Sequence, residues 1–311
     1  MKKKLDFIIV GAQKAGTTSL AAYLGESDQI FIPSEKEVPY FVEERMRQRG
    51  WDWYLETYFS NAGPDRLWGT SSPQYMMYPD SFGAIKNKLP DVKIIVTLRD
   101  PIERLLSHFD MATRFGVENR KLSQVVEEQL DKVGHYRQTP YLDRTGKYLV
   151  SGEYGRILME LLGHFDRQQV LIIDFEDIRK DAQLVVDRLS DFLGITRFSP
   201  GNLHAVRMRG GGRRRIDVDH DRIIATLGRS VKSLGLAGLV PVSLKLAVGR
   251  LSSRLDEFNV DPSVKSGIDD LPPELLDRLQ EFYRMDAIRL RQLDINGPWL
   301  ERWNVAPVDV G

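Results

Sequence analysis

The chain contains no cysteine among its 311 residues. This absence excludes disulfide bonds, thiolate zinc sites and cysteine nucleophiles. The chain also lacks a net charge, because 44 Lys and Arg residues balance 44 Asp and Glu residues. Without a positive excess there is no general electrostatic attraction to nucleic acid, so we expect no nucleic-acid partner.

Long apolar runs are absent as well, since no stretch approaches the roughly 18–20 apolar residues of a membrane-spanning helix. The N-terminal sequence Met1-Lys2-Lys3-Lys4-Leu5 superficially resembles a signal peptide, but Asp6 interrupts the apolar run. We interpret the following residues, Phe7–Val10, as a buried β-strand. These observations predict a soluble cytoplasmic protein that is not stably inserted in a membrane.

The most informative segment that is present follows this strand and reads Gly11-Ala12-Gln13-Lys14-Ala15-Gly16-Thr17-Thr18. It leads into a helical sequence, and a helix N-terminus presents free backbone N–H groups and a positive dipole. Gly11 and Gly16 permit backbone angles that other residues disfavour, and Lys14 contributes a positive charge. We predict that the loop binds a phosphate-like group. The predicted binding residues are Gln13, Lys14, Ala15, Gly16, Thr17, Thr18 and Ser19.

This loop departs from the nucleotide-binding P-loop, G-x-x-x-x-G-K-[ST], at one position. Thr17 follows the second glycine where the P-loop has a lysine, and Lys14 lies two residues before Gly16 instead. The departure weakens the interpretation as a nucleotide kinase or ATPase. A tight strand-to-helix turn without a ligand is the structural alternative, but Lys14 together with Thr17 and Thr18 favours an anion site.

Alternating strands and helices predict an α/β fold with a central parallel sheet flanked by helices. Short apolar runs suit strands that are buried on both faces. These runs are Phe7–Val10, Lys93–Leu98 and Val170–Phe175, with Arg66–Gly69 as an edge strand. Apolar residues with a helical period indicate the helices. The helices are Ile102–Thr113, Ser151–Phe165, Asp181–Leu193 and Glu274–Leu293.

A second candidate anion site follows the strand Lys93–Leu98. Arg99 stands at its carboxyl end, which is where open α/β sheets bind ligands. Ser107 lies two turns into the next helix, which the sequence Asp100-Pro101 begins. An arginine and a hydroxyl suit a terminal phosphate, so Arg99 and Ser107 predict a second phosphate site. The alternative is an ion pair from Arg99 to Asp100 or Glu103.

Two anion sites at neighbouring strand ends fit a ligand with phosphate groups at both ends of a nucleoside. The sequence L-R-D-P-x-x-R-x-x-S at 98–107 resembles the 3′-phosphate motif of sulfotransferases that use 3′-phosphoadenosine 5′-phosphosulfate (PAPS). The loop at 11–18 resembles their 5′-phosphosulfate loop. The resemblance covers about residues 5–200 and, more loosely, 282–303. It is closest to the branch that contains heparan sulfate N- and O-sulfotransferases and their bacterial relatives.

The resemblance implies a P-loop-like fold and sulfuryl transfer from PAPS without a metal, with adenosine 3′,5′-bisphosphate (PAP) as product. It implies a single sulfotransferase domain over residues 1–311, with a PAPS-binding core at about 5–200. A basic loop and helical lid would span 201–270. A C-terminal helix at 271–303 would return to the core.

The resemblance also implies further site residues. In this branch a carboxylate shortly after the first helix acts as general base, and Glu37 in Glu37-Val38-Pro39-Tyr40-Phe41 matches its pattern. Glu35 is the rival base. Arg213, within the arginine-rich run at 207–215, matches the arginine of a loop that closes over the 3′-phosphate. A solvated loop and a polyanion-binding patch are the alternatives for this run.

One position departs from the family pattern, because Ser71 stands where many relatives have a lysine near the reacting sulfate. Lys14 is then the main side-chain cation near the leaving phosphate, and a glycosaminoglycan-specific acceptor site is less expected. His108 and His204 are the next candidates for acid–base chemistry, although a packed helix histidine is the simpler interpretation of His108.

The acceptor is a small molecule or a glycan in our interpretation, with a carbohydrate first and a lipid or hydrophobic alcohol second. Aromatic residues either line a sugar-binding cleft or belong to the core. They are Trp51, Trp53, Tyr54, Tyr58, Tyr75 and Tyr78. A P-loop nucleotide kinase and a non-catalytic nucleotide- or glycan-binding protein are the functional alternatives. The sequence indicates no oligomeric state.

Overall fold

The computed structural model describes residues 4–35, 37–140, 146–201, 203, 266–295 and 297–301, together with the backbone of 213–214 and 260–261. Five parallel strands form the central sheet, as predicted. They are β1 (Phe7–Gly11), β2 (Ile30–Phe31), β3 (Leu67–Ser71), β4 (Lys93–Leu98) and β5 (Val170–Asp174). Their order across the sheet is β2-β3-β1-β4-β5.

The prediction of an edge strand at Arg66–Gly69 is wrong in its place in the sheet. That strand is β3, and it lies inside the sheet because β2 pairs with its outer side. A two-residue strand such as β2 is too short to show an apolar period, so the sequence gives no sign of it. On its inner side β3 packs tightly against β1, since a Cβ at Gly69 would lie 2.0 Å from the Phe7 ring.

Helices cover both faces of the sheet, and the four predicted helices are confirmed with small shifts at their ends. The helices of the N-terminal half are α1 (Thr17–Leu24), α2 (Glu44–Arg49), α3 (Trp51–Phe59), α4 (Gln74–Met77), α5 (Ser81–Lys88), α6 (Pro101–Arg114), α7 (Leu122–Asp131) and α8 (Val133–Gln138). Those that follow are α9 (Tyr154–His164), α10 (Phe175–Lys180), α11 (Ala182–Leu193), α12 (Pro273–Gln292) and α13 (Pro298–Glu301).

Shorter elements complete the described chain. Three 3₁₀ turns are present, at Val150–Gly152, Arg167–Gln169 and Ile268–Asp270. The strands β6 (Arg213–Arg214) and β7 (Val260–Asp261) form an antiparallel pair, and β6 contacts α6. The remainder of the predicted basic loop and lid at 201–270 falls largely outside the described residues. Within the described residues, no helix has both the length and the apolar character needed to span a membrane.

The inner strands β1 and β4 are buried on both faces, as their unbroken apolar runs predict, whereas β5 at the edge of the sheet is only partly buried. Ile8 and Val10 belong to one apolar cluster, which includes residues of α4, α5 and α9. Phe7 and Ile9 belong to the opposite cluster, which includes residues of α1 and α11. Alternate residues of β1 point to opposite faces of the sheet, so the strand packs against the helices on both faces.

The long C-terminal helix α12 packs against α9 and α7. Asp286 of α12 accepts hydrogen bonds from the backbone N–H groups of Gly155 and Arg156 at 2.7 and 2.9 Å. This carboxylate therefore caps the N-terminus of α9 from a distant part of the sequence. Trp299 adds a second tie, because its Nε1 donates to Asp174 at the end of β5 at 2.9 Å.

Candidate active site

The loop Gly11–Thr18 joins β1 to α1 with the backbone angles that its glycines predict. Gly11 has a φ of 149° and Gly16 a φ of 92°, in the region that favours glycine. A Cβ at Gly16 would lie 3.0 Å from the ring of Phe175, so a larger residue would crowd the start of α10. The loop thus packs tightly against the residue that follows β5.

Hydrogen bonds to β4 fix the loop at the carboxyl edge of the sheet. The N–H of Ala12 donates to the Thr97 carbonyl at 2.8 Å, and the Thr97 hydroxyl donates to the Gly11 carbonyl at 3.1 Å. Arg99 Nη1 donates to the Lys14 carbonyl at 3.3 Å. The two predicted phosphate-binding segments therefore lie side by side.

The N-terminus of α1 faces this loop. The N–H groups of Ser19 and Leu20 donate to the Gly16 carbonyl at 3.0 and 3.1 Å. Helix geometry gives the N–H groups of Thr17 and Thr18 no acceptor inside the helix, and anions bind to such groups. These donors lie where the sequence predicts the 5′-phosphosulfate end of the ligand.

The other two predicted loop residues differ in their surroundings. Ala15 is buried, and Gln13 is half-buried. The buried Oε1 of Gln13 has no hydrogen-bond partner among the described residues. An amide with unused hydrogen-bonding capacity beside the loop is suited to a polar ligand.

Lys14 reaches out of the loop toward α6, where its Nζ lies 3.6 Å from the Met111 sulfur. Burial, followed by the positive charges of Arg114 and Arg99, lowers the pKa of Lys14 to about 8. The carboxylates of Glu37 and Asp110 act in the opposite direction. Lys14 is therefore partly desolvated, and an additional negative charge nearby would stabilise its ammonium form.

This lowered pKa predicts a pH dependence of PAP binding. A bound anion favours the ammonium form of Lys14 and raises its pKa in the complex, so binding takes up a proton above pH about 8. We expect the affinity to fall by up to about tenfold per pH unit above pH 8. Calorimetry in buffers of different ionisation enthalpy measures both effects.

Lys14→Met supplies the control for this pH series, because it removes the titrating group and keeps the length of the side chain. The slope above pH 8 should disappear in the variant. A wild-type affinity that stays constant from pH 7 to 9.5 would contradict the assignment of Lys14 to the anion site.

Arg99 is held at the end of β4 by three contacts. It forms an ion pair with Glu103 at 3.2 Å, its guanidinium lies 4.9 Å from the centre of the Phe175 ring, and it donates to the loop at Lys14. The ion pair considered as an alternative for Arg99 is therefore present. A guanidinium has five N–H donors, so these contacts orient Arg99 and leave it donors for a phosphate.

The helix α6 presents a polar stripe that begins beside Arg99. Asp100 caps the helix, as predicted, by accepting from the N–H groups of Ile102 and Glu103 at 2.9 and 3.1 Å. Ser107, Asp110 and Arg114 follow at spacings of three and four residues, which places them on one face. The contact of Lys14 with Met111 on the same helix places α6 beside the loop.

The structure distinguishes the two candidate bases by their surroundings. The charge of Glu37 raises the pKa of Lys14, and Glu37 accepts a hydrogen bond from Gln74 at 3.0 Å. The charge of Glu35 instead influences the pKa of Tyr58. Tyr58 of α3 has a raised pKa because of its burial and then because of the nearby Glu35 and Glu43 carboxylates. Of the two carboxylates, Glu37 is the one near the loop.

The remaining predicted residues lie in different settings. His108 is buried against Arg104, and burial and then the Arg104 charge lower its pKa well below the usual value, so it is neutral and packed. Ser71 is fully buried, and its hydroxyl has no partner among the described residues. The backbone of Arg213 forms β6 beside α6. His204 lies outside the described residues.

The aromatic residues that the sequence offers for a sugar-binding cleft are buried or half-buried. Trp51, Tyr54 and Tyr75 are buried, so they belong to the core. Trp53 and Tyr58 are half-buried, and Arg49 lies 4.2 Å from the Trp53 ring centre. Tyr78 is half-buried beneath the Lys147 ammonium group at 4.0 Å.

Sequence reasoning missed four side chains at the site. They are Gln74, Asp110, Met111 and Arg114. The spacing from Ser107 to Asp110 and Arg114 follows one face of a helix and was sufficient to indicate two of them. Gln74 and Met111 touch Glu37 and Lys14 only through the packing of separate elements, for which the sequence carries no local sign.

The chain is similar to known proteins in sequence and in fold. The family described as "Sulfotransferase domain" matches residues 4–207. The chain is 26% identical over 204 residues to bifunctional heparan sulfate N-deacetylase/N-sulfotransferase 1 of Caenorhabditis briggsae. The alignment covers 63% of this chain and 23% of that protein. It is 29% identical over 145 residues to the membrane-associated sulfotransferase kil1 of Dictyostelium discoideum, with 42% and 30% covered.

This chain thus matches less than a third of the length of each of these relatives. A crystal structure of a sulfotransferase from Alicyclobacillus acidocaldarius has the same fold, with a TM-score of 0.64 at 22% identity over 97% of this chain and 99% of that one. The family match covers most of the chain and includes the loop at Lys14, the β4 end at Arg99 and the segment of Glu37. The chain therefore belongs to the sulfotransferase family.

Proposed function

We propose that this enzyme transfers a sulfuryl group from PAPS to a hydroxyl or amine of a carbohydrate or another sugar-bearing molecule. One observation carries the proposal. The Lys14 loop adjoins the Arg99 strand end at one sheet edge, and Glu37 lies close enough to act on the Lys14 charge. Two anion sites with a carboxylate beside them suit a bis-phosphorylated donor and an acceptor that must lose a proton.

The residues present fit such a donor. The first N–H groups of α1 have no acceptor inside the helix and are available to an anion, and Lys14 adds a positive charge beside them. Arg99, oriented by Glu103, would hold the 3′-phosphate together with Ser107. Arg213 would approach from β6, whose backbone contacts α6. Among the described residues no group of three or more His, Asp or Glu side chains forms a metal site.

In the proposed mechanism Glu37 accepts the acceptor's proton as the acceptor oxygen or nitrogen attacks sulfur. The new bond to sulfur forms while the bond from sulfur to the 5′-phosphate oxygen breaks in line. Lys14 and the loop N–H groups stabilise the negative charge that develops on the leaving phosphate. The main contribution of the protein is therefore positioning and charge stabilisation.

The donor site makes a direct binding prediction. PAP should bind much more tightly than AMP, which lacks the 3′-phosphate. Hydrogen bonds to charged groups contribute about 1.5–3 kcal/mol, which corresponds to a difference of about tenfold to a hundredfold. Calorimetric titration of both nucleotides measures it, and equal affinities would show that no 3′-phosphate site exists.

Arg99→Ala tests the residue assigned to that phosphate. The variant should lose most of its preference for PAP over AMP. Arg284→Ala is a matched control, since Arg284 also pairs with a glutamate on its own helix, at 2.7 Å, but lies on the far helix α12. The control should keep the full preference.

Support for a carbohydrate acceptor comes from relatives named for heparan sulfate N-sulfotransfer. An acceptor panel with a simple sugar, a glycosaminoglycan and a long-chain alcohol tests this class. Sulfation of the alcohol alone would contradict the carbohydrate proposal and leave the donor assignment intact.

We further propose that residues 1–311 form one sulfotransferase domain. The cap that Asp286 of α12 provides for α9 supports this view, because it ties the C-terminal helix to the PAPS-binding core.

A further inference from the structure

Gln74 stands at the start of α4 and touches the carboxylate assigned as the base. Its Nε2 donates to Glu37 Oε2 at 3.0 Å. Its Oε1 is buried and has no partner among the described residues. A buried acceptor without a donor is unfavourable, so the orientation of this amide needs an explanation.

The Glu37 carboxylate provides that explanation. A carboxylate only accepts hydrogen bonds, and of the two ends of the Gln74 amide only the NH₂ group donates. The opposite orientation would place Oε1 against Glu37 and leave two acceptors facing each other. The Gln74 amide is therefore oriented so that its NH₂ group donates to Glu37, and in this orientation its Oε1 has no donor among the described residues.

Ser72 and Tyr75, on either side of Gln74, form hydrogen bonds to the backbone of Val38, next to Glu37. The Ser72 hydroxyl accepts from the N–H of Val38 at 3.1 Å, and the Tyr75 hydroxyl donates to the Val38 carbonyl at 3.4 Å. The N–H of Ser72 donates in turn to Ile9 in β1 at 2.9 Å. The segment Ser72–Tyr75 thus connects the Glu37 segment to the strand that ends in the Lys14 loop.

We propose that Gln74 is a positioning residue that holds the Glu37 carboxylate in its reactive orientation toward the acceptor. This inference rests on the proposed function, in which Glu37 takes the acceptor's proton. Glu37 is exposed, and an exposed glutamate samples several rotamers unless a contact selects one. The Gln74 hydrogen bond selects the rotamer, while Ser72 and Tyr75 fix the backbone beneath it.

Gln74→Met tests the proposal, because it keeps the length of the side chain and removes the N–H donor. We expect kcat to fall by about tenfold to a hundredfold, since small displacements of a catalytic group reduce rates by such factors. The KM for PAPS and the affinity for PAP should not change. Steady-state kinetics and calorimetry measure this separation of kcat from donor binding.

Gln48→Met is the matched control. Gln48 donates to Glu44 at 3.1 Å, so it forms the same type of pair, but on the exposed surface of α2. The control should turn over at the wild-type rate. A fall in kcat as large as that of Gln74→Met would show that the loss of such a pair acts through general stability.

A double-mutant cycle shows whether Gln74 acts through Glu37. Gln74→Met should cause no further loss of turnover in the Glu37→Gln background. Equal losses in both backgrounds, or a Gln74→Met enzyme with wild-type kcat, would overturn the proposal. The failure is distinct from that of the proposed function, in which the wild type itself would transfer no sulfuryl group from PAPS.

Crystal structures of the wild type and of Gln74→Met provide a readout that needs no acceptor. The Glu37 carboxylate should lie within hydrogen-bond distance of Gln74 in the first and adopt a different or divided orientation in the second. An identical, fully ordered Glu37 in both structures would overturn the positioning role even if the acceptor is still unknown.

Discussion

Lys14→Ala should reduce sulfuryl transfer by about 10²–10³ while the protein stays folded. Removing one preorganised donor from a developing negative charge costs about that factor in rate. Lys14 is the side-chain cation of the loop, and Arg99 and Arg114 belong to other elements. Single-turnover assays at saturating PAPS measure the chemical step.

The fold should tolerate this substitution well. Burial lowers the pKa of Lys14 to about 8, which means that the folded, unliganded protein disfavours the ammonium form. Removing a disfavoured charge leaves thermal stability unchanged or slightly higher. Lys132→Ala is the control, because Lys132 is an exposed lysine paired with Glu128 on the surface. Near-normal turnover of Lys14→Ala would contradict the assignment of the loop.

Glu37→Gln should bind PAP normally and fail at turnover. Glutamine keeps the shape of the side chain but cannot accept the proton of the attacking group, and general-base catalysis contributes about 10²–10⁴. The Gln74 amide still has an acceptor to donate to in this variant, so the local structure should persist. Calorimetry with PAP and single-turnover transfer separate the two properties.

Glu35→Gln is the matched control for this substitution. Its carboxylate lies near Tyr58 of α3, so the variant should remain active. Wild-type turnover in Glu37→Gln together with its loss in Glu35→Gln would show that the other carboxylate is the base. Activity in both variants would place the base elsewhere, and His204 would become the next candidate because His108 is buried and neutral.

Local sequence patterns predicted the parts of the fold and site that depend on neighbouring residues. The order of strand, glycine loop and helix at 7–24 encodes its own geometry, and Gly11 and Gly16 adopt the positive φ values that a loop of this kind requires. Asp100 likewise caps α6 through its own backbone neighbours. These features require no knowledge of distant parts of the chain.

Features that depend on packing were out of reach of the sequence. The two-residue strand β2 exists only because β3 offers it a hydrogen-bonding edge, so β3 was misplaced at the edge of the sheet. The Gln74–Glu37 and Lys14–Met111 contacts each join separate elements. Ser71 was noted as a departure from the family, but only the structure shows that its side chain is fully buried.

The departure from the P-loop also has a structural consequence. Thr17 occupies the position of the P-loop lysine, and it is a buried residue in the first turn of α1. Lys14 instead projects from the loop toward Met111 on α6, on the side where Glu37 acts on it.

The most direct test of the central claim is a label-transfer measurement with PAPS that carries ³⁵S in the sulfuryl group. The purified wild type should move the label to an acceptor of the panel and release one PAP for each label transferred, and Lys14→Ala should lose nearly all of this transfer. Absence of labelled acceptor across the panel, with no PAP formed, or transfer that is unchanged in Lys14→Ala, would contradict the account.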